Sequence, residues 1–179
     1  IIYTQALKKL YPDVPVIIGG IEASMRRLSH YDYWQDTLRP SILIDSKADI
    51  LVYGMGEKPI LEIANYLRDG KQISELTDIP QTAICVNASS IPEHLDSEKE
   101  ELLHSHEECL KDKKLHAANF KVIEIESNKW QGRTLWQKVG NRAVKVNGTN
   151  PPLSESEIDS SFDLPYTRLP HPRYRGKRI

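Results

Sequence analysis

Two glycine turns carry the residues of this sequence with the clearest chemical potential. Val14-Pro15-Val16-Ile17-Ile18 empties into Gly19-Gly20-Ile21-Glu22-Ala23-Ser24, and Asp49-Ile50-Leu51-Val52-Tyr53 empties into Gly54-Met55-Gly56-Glu57-Lys58-Pro59. Glycine permits positive φ and close approach of the backbone to a ligand. The candidate cofactor-binding set is therefore Gly19, Gly20, Glu22, Ser24, Gly54, Gly56 and Glu57. The plainer alternative is that these glycines only allow tight strand-to-helix turns. Gly54-Met55-Gly56 is half of a dinucleotide fingerprint, because G-x-G-x-x-G needs glycine where Pro59 stands. No G-x-x-x-x-G-K-[ST] occurs either.

Other chemically capable groups cluster less well. His104, His106 and Cys109 invite a metal site, but on one helix residues two apart face different ways, so a solvated helix face is expected there. Asp45, Asp49 and Glu57 have no spacing that fixes a common geometry, and Asp49 reads as a strand-entry residue. Arg26 and Arg27 either hold an anion or snorkel over the sheet. Tyr166 to Ile179 carries Arg168, Arg173, Arg175, Lys177 and Arg178 without an acid, beside Tyr166, His171 and Tyr174. Such a tail suits RNA or DNA contact, or a linker packed on an acidic neighbour. No catalytic residue and no metal ligand is assigned.

The elements that position these groups follow from apolar periodicity. The runs at 14–18 and 49–53 are short, continuous and β-branched, which predicts strands buried on both faces of a parallel sheet, adjacent and joined by a crossover. In open α/β sheets ligands sit beyond the carboxyl ends of such strands. Helices are expected over 1–10, over 21–28 and from Pro59 to Gly70, an extended stretch over 39–45, and strands over 82–87 and 143–146. Residues 96–118, rich in Glu, Lys and His with sparse leucines, predict one long surface helix, and 130–138 is open to a helical reading. From Asn150 five prolines predict an extended connector with one short turn at 154–159.

The 179 residues include 39% hydrophobic ones and a formal charge of -1, an ordinary composition with no global pull toward nucleic acid or anionic membrane. Two cysteines are too few for a disulfide framework and fit a reducing, cytoplasmic setting. No apolar run approaches the ~20 residues of a membrane span. The sequence opens on an uncapped helix body without methionine and closes without a final element, so a piece of a longer protein is expected.

Four ordered blocks add a family resemblance. Ile17 to Arg27, His30-Tyr31-Asp32-Tyr33-Trp34, Asp45 to Glu57, and the run from Asn150-Pro151-Pro152 through Asp163-Leu164-Pro165-Tyr166 to Leu169-Pro170-His171-Pro172-Arg173-Tyr174 closely resemble the YgiQ-type (UPF0313) radical SAM proteins. The resemblance implies residues 1–92 as the back half of a Rossmann-like domain similar to cobalamin-binding domains. It implies 93–149 as a helical and strand extension, and 150–179 as a linker toward the protein's own radical SAM barrel. The parent would hold a [4Fe-4S] cluster and S-adenosylmethionine. This sequence lacks the C-x-x-x-C-x-x-C cluster motif, which the resemblance locates beyond Ile179, so the fragment binds no cofactor of the parent by itself. It also lacks the D-x-H-x-x-G loop, which leaves cobalamin without its usual cobalt ligand here. The implied role is an accessory domain of unknown substrate, not catalytic alone. A corrinoid- or nucleotide-binding module and an RNA-associated domain are the alternatives.

Overall fold

The computed structural model describes residues 1–174 and Gly176, so Arg175, Lys177, Arg178 and Ile179 of the expected basic tail lie outside the described residues. In chain order the first half comprises α1 (Ile2–Leu10), β1 (Ile17–Ile18), α2 (Gly20–Met25), β2 (His30–Asp32), β3 (Thr37–Arg39), α3 (Ile42–Ser46), β4 (Ile50–Val52) and α4 (Glu57–Arg68). The second half comprises β5 (Thr82–Asn87), β6 (Glu100–Leu102), α5 (His106–Lys111), α6 (Lys113–Ser127), β7 (Thr134–Val139), β8 (Arg142–Val146) and α7 (Glu155–Phe162). No helix among the described residues is long and apolar enough to cross a membrane.

One six-stranded sheet, in the order β1-β4-β5-β8-β7-β6, runs through both halves. β1 and β4 pair in parallel, with Ile17 opposite Ile50 and Ile18 opposite Leu51, as the crossover between them requires. The sheet is mixed rather than parallel, because β4-β5, β5-β8 and β8-β7 are antiparallel. β8 follows β7 through a tight turn at Gly140, which joins antiparallel neighbours without a crossover. β2 and β3 form a separate hairpin.

Alternation along β4 divides the core into two layers. Leu51 and Tyr53 face one cluster with Leu28, Leu43, Leu135 and Val144, against which Val122 and Ile123 of α6 pack. Ile50 and Val52 face the other, with Ile63 of α4 and Ile79. Covering both faces explains why β4 reads as an unbroken apolar run. β1 is shorter than expected: Val14 stays 54% exposed and only Ile17–Ile18 pair. Pro15 cannot donate to a ladder, and β1 is an edge strand.

Three expected elements are corrected. The long helix over 96–118 is instead β6 followed by α5 and α6. Asp112 ends α5 and caps α6 by accepting from the Lys114 N–H at 2.9 Å, which breaks the helix in two. The helical reading of 130–138 gives way to β7, whose buried Leu135, Trp136 and Gln137 hide the strand alternation. The extended reading of 39–45 fails from Ile42 onward, where Ser41 caps the short helix α3. The turn at 154–159 is the first part of α7, started by a capping box between Ser154 and Glu157.

Candidate functional site

A groove of about 1050 Å3 opens beyond the carboxyl ends of β1 and β4. Its walls come from the end of α2 and the following 24–31 segment, the 53–55 turn, the inner face of α6, and the 149–153 segment with Ile158 of α7. His116, Phe120, Ile123 and Ser127 all line it, at the i, i+4, i+7, i+11 spacing that puts them on one face of α6. Met25, Met55, Phe120 and Trp130 form an exposed apolar rim.

The two glycine turns meet at one side of this groove. The Ser24 hydroxyl donates to the Gly20 carbonyl at 2.8 Å and accepts the Gly54 N–H at 3.2 Å, tying the turns together. Of the expected ligand-binding set, Ser24 and Gly54 line the groove, whereas Gly19, Gly20, Glu22, Gly56 and Glu57 do not. Gly19 and Gly56 precede α2 and α4 as their N-caps, and Glu57 opens α4. Glu22 is an exposed partner of Arg26 at 3.2 Å.

The two neighbouring arginines separate clearly. Arg26 pairs with Glu22, while Arg27 turns inward and has no ion-pair partner among the described residues. Its guanidinium donates to the Ser24 carbonyl at 2.6 Å and to the Ser127 hydroxyl at 2.8 Å, and lies 4.8 Å from the centre of the Tyr53 ring. Burial pushes the guanidinium pKa down, opposed by Tyr53 and Glu124. Burial also raises the Tyr53 phenol to about 12, against the pull of Arg27, so the phenol stays neutral and donates to the Asn147 carbonyl. That arrangement suits a cation–π contact in a partly dehydrated site.

Gln81 joins the floor to the far wall. It is a non-glycine residue at φ +63°, its amide nitrogen donates to the Met55 carbonyl at 2.6 Å, and its amide oxygen accepts the Asn150 N–H at 3.2 Å. The other cations lining the groove are paired: Lys58 with Glu157 at 2.9 Å, and Lys129 with Glu126 at 2.8 Å. Arg27 was singled out from the sequence, with Arg26, as a possible anion holder, whereas Tyr53, Gln81, His116 and Asn150 were not singled out as site residues. The helical spacing of His116, Phe120 and Ile123 was the one available signal.

The remaining candidates serve the fold. Asp49 accepts the Val16 N–H at 2.7 Å and pairs with Lys8 at 2.9 Å, fixing the entry to β4. Asp45 pairs with Arg39 at 2.9 Å. The solvated-face expectation for His104, His106 and Cys109 is corrected, since His106 and Cys109 are buried. His106 Nδ1 lies 2.9 Å from the Ser29 hydroxyl, and Asn119 donates to Cys109 Sγ at 3.2 Å and to the His104 carbonyl at 2.8 Å. Burial pushes both thiols, Cys85 and Cys109, above the usual range. They stand in β5 and α5, and among the described residues no group of three or more His, Cys, Asp or Glu could hold a metal. These residues do not fit a [4Fe-4S] cluster, which is held by a set of cysteine thiolates.

Comparison with known proteins bears on the whole chain. The radical SAM N-terminal family model matches residues 1–179. A UPF0313 protein of Porphyromonas gingivalis is 55% identical over 179 residues, covering 100% of this chain and 28% of that protein. A UPF0313 protein of Bacteroides thetaiotaomicron is 53% identical over 190 residues, covering 100% of this chain and 30% of its own length. The UPF0313 protein YgiQ of Escherichia coli is 38% identical over 229 residues, 31% of its length. The chain thus spans less than a third of the curated relatives named here, in each of which the match leaves most of the protein uncovered. No solved structure matches it. With the family model matching from first residue to last, this chain belongs to the radical SAM N-terminal family.

Proposed function

We propose that this chain is an accessory N-terminal domain of a radical SAM iron–sulfur protein, without catalytic residues of its own, and that its groove rim docks on the protein's own radical SAM barrel. The observation that carries the reading is the rim: Met25, Met55, Phe120 and Trp130 are 73%, 63%, 60% and 77% exposed around one concavity. Large apolar side chains left exposed around one concavity point to an interaction site. The relatives supply a candidate occupant, because the matched region is only 28–31% of their length. The cluster and S-adenosylmethionine belong to that remainder, where the cofactor pair carries the chemistry. The finer fold assignment, a Rossmann-like half-domain over 1–92 with 93–149 as its extension and 150–179 as the connector, rests on the parallel β1-β4 pair and its crossover. A cytoplasmic site of action goes with this reading.

The test uses the full-length protein, reconstituted anaerobically with iron and sulfide. Met55→Asp combined with Trp130→Asp should leave iron content and folding unchanged and lower reductive cleavage of S-adenosylmethionine to 5′-deoxyadenosine at least about tenfold, as expected when one docked interface is charged on both walls. Cleavage at the unmodified rate would remove the reading.

A further inference from the structure

Three side-chain atoms are buried without a hydrogen-bond partner among the described residues: Arg27 Nε, His116 Nδ1 and Asn150 Nδ2. They come from the segment after α2, from α6 and from the 149–153 strap, which are far apart in sequence. All three residues line the same groove. Buried polar groups are nearly always partnered, so orphans gathered around one concavity ask for a common partner.

We infer that the groove is a binding site for an organic anion, a carboxylate or phosphate ester on an apolar body, whose oxygens accept from the Arg27 guanidinium, with the Asn150 side-chain amide turning from its buried position to add a second donor. Arg27 Nε always carries its hydrogen and Asn150 Nδ2 is an amide donor, so both call for acceptors. His116 lines the same groove about three turns before Ser127 on α6, with its imidazole pKa pushed down by burial and its Nδ1 able to donate in one tautomer. Charge favours the same ligand. Arg27, Lys58 and Lys129 line the groove against the single carboxylate of Glu124, and Arg27 is the one of the three with no ion pair within 4 Å among the described residues, Glu124 acting on it only at longer range. A guanidinium in such a setting recognises carboxylate and phosphate oxygens by directed, charge-assisted bonds.

The rest of the wall fixes the ligand's body. Leu28, Phe120, Ile123, Trp130 and Leu153 surround the polar end with apolar surface. A volume of about 1050 Å3 is at the upper end of the range for small-molecule sites. Tyr53, stacked under Arg27 and held by the Asn147 carbonyl, keeps the guanidinium from swinging out. This inference goes beyond the accessory role and is read by binding rather than by S-adenosylmethionine cleavage, so either can fail alone.

The probes are 2-naphthoate and 2-naphthyl phosphate, with neutral 2-naphthamide as the matched control, titrated calorimetrically into the full-length protein. At least one anion should bind about tenfold or more tightly than the amide. Arg27→Gln should bring anion and amide within about threefold of each other. Asn150→Leu removes an unpartnered donor without touching Arg27 and should weaken the better anion at least about threefold. Because Arg27 also bridges Ser24 and Ser127, Asn150→Leu decides the matter should Arg27→Gln not fold. Binding of neither anion, equal binding of anion and amide, or an anion affinity unmoved by Asn150→Leu each overturns the proposal. Preference for naphthoate or for naphthyl phosphate identifies which headgroup the site takes.

Discussion

Alanine at Gly54 tests how tightly the groove floor is held. Gly54 lies at φ +65°, where an L-residue costs about 1–2 kcal/mol. A Cβ there would stand 2.9 Å from the Gln81 amide nitrogen, which is already committed to the Met55 carbonyl at 2.6 Å. Gln81 cannot retreat with its backbone, because its N–H bonds Gly148 at 2.7 Å and its carbonyl accepts from Tyr53 at 3.1 Å. Its side chain must rotate and give up bonds to Met55 and Asn150, each worth about 0.5–1.5 kcal/mol net. Alanine offsets about 0.4–1 kcal/mol of this by restricting the unfolded chain. The expected net loss is about 2–4 kcal/mol, which is large against a typical domain stability. Gly20→Ala is the control. Gly20 lies at φ +86° with nothing within 4 Å of an added Cβ, so only the backbone cost of about 1 kcal/mol remains. The assay is urea unfolding of the 179-residue chain, with Gln81→Ala added to close a double-mutant cycle. Coupling of about 1 kcal/mol or more between Gly54→Ala and Gln81→Ala is expected. Equal losses at Gly54 and Gly20, or additive behaviour with Gln81→Ala, would refute the steric reasoning.

Three further outcomes follow from buried and paired groups. Burial alone would raise the Glu126 pKa, but hydrogen bonds from the Arg133 N–H and guanidinium and from Lys129 bring it down to about 2, against an ordinary 4.5. A depressed folded-state pKa means stability present above pH 4.5 and lost as pH falls toward 2, at most about 3 kcal/mol before solvent screening reduces it. Urea midpoints should therefore drop over that window, and Glu126→Gln should flatten the drop. Asp49→Ala strands the Val16 N–H and Lys8 and should cost about 1–3 kcal/mol, whereas a loss under ~0.5 kcal/mol would mean that water replaces the carboxylate. With both thiol pKa values raised by burial, Cys85 and Cys109 should resist iodoacetamide at pH 7 until urea unfolds the chain; fast labelling of folded protein would contradict that burial.

The sequence made strands legible where burial on both faces left an unbroken apolar run, as in β4 and β5. It misled where polar residues are buried by partnership. Gln137 sits inside β7 because it accepts the Ser29 N–H at 2.9 Å and donates to the His104 carbonyl at 3.1 Å, partners far away in sequence. His106 and Cys109 look like surface residues until Ser29 and Asn119 are brought to them. The candidate site divides the same way. Ser24 and Gly54 were readable because strand-to-helix turns leave a glycine signature. Arg27 was readable only as one of two adjacent arginines able to hold an anion, and His116 and Asn150 were not readable, because their place on the groove comes from separate elements and no local pattern encodes that.

Hydroxyl-radical footprinting of the full-length protein against the 179-residue chain tests the accessory-domain account most directly. Met25, Met55, Phe120 and Trp130 are reactive side chains on the groove rim, while Trp34 and Tyr3, 80% and 86% exposed, lie off the groove lining and serve as internal references. The account predicts that oxidation of the four rim residues falls several-fold in the full-length protein while Trp34 and Tyr3 react as before. Equal oxidation of the rim in both proteins would contradict docking of the radical SAM barrel on this groove.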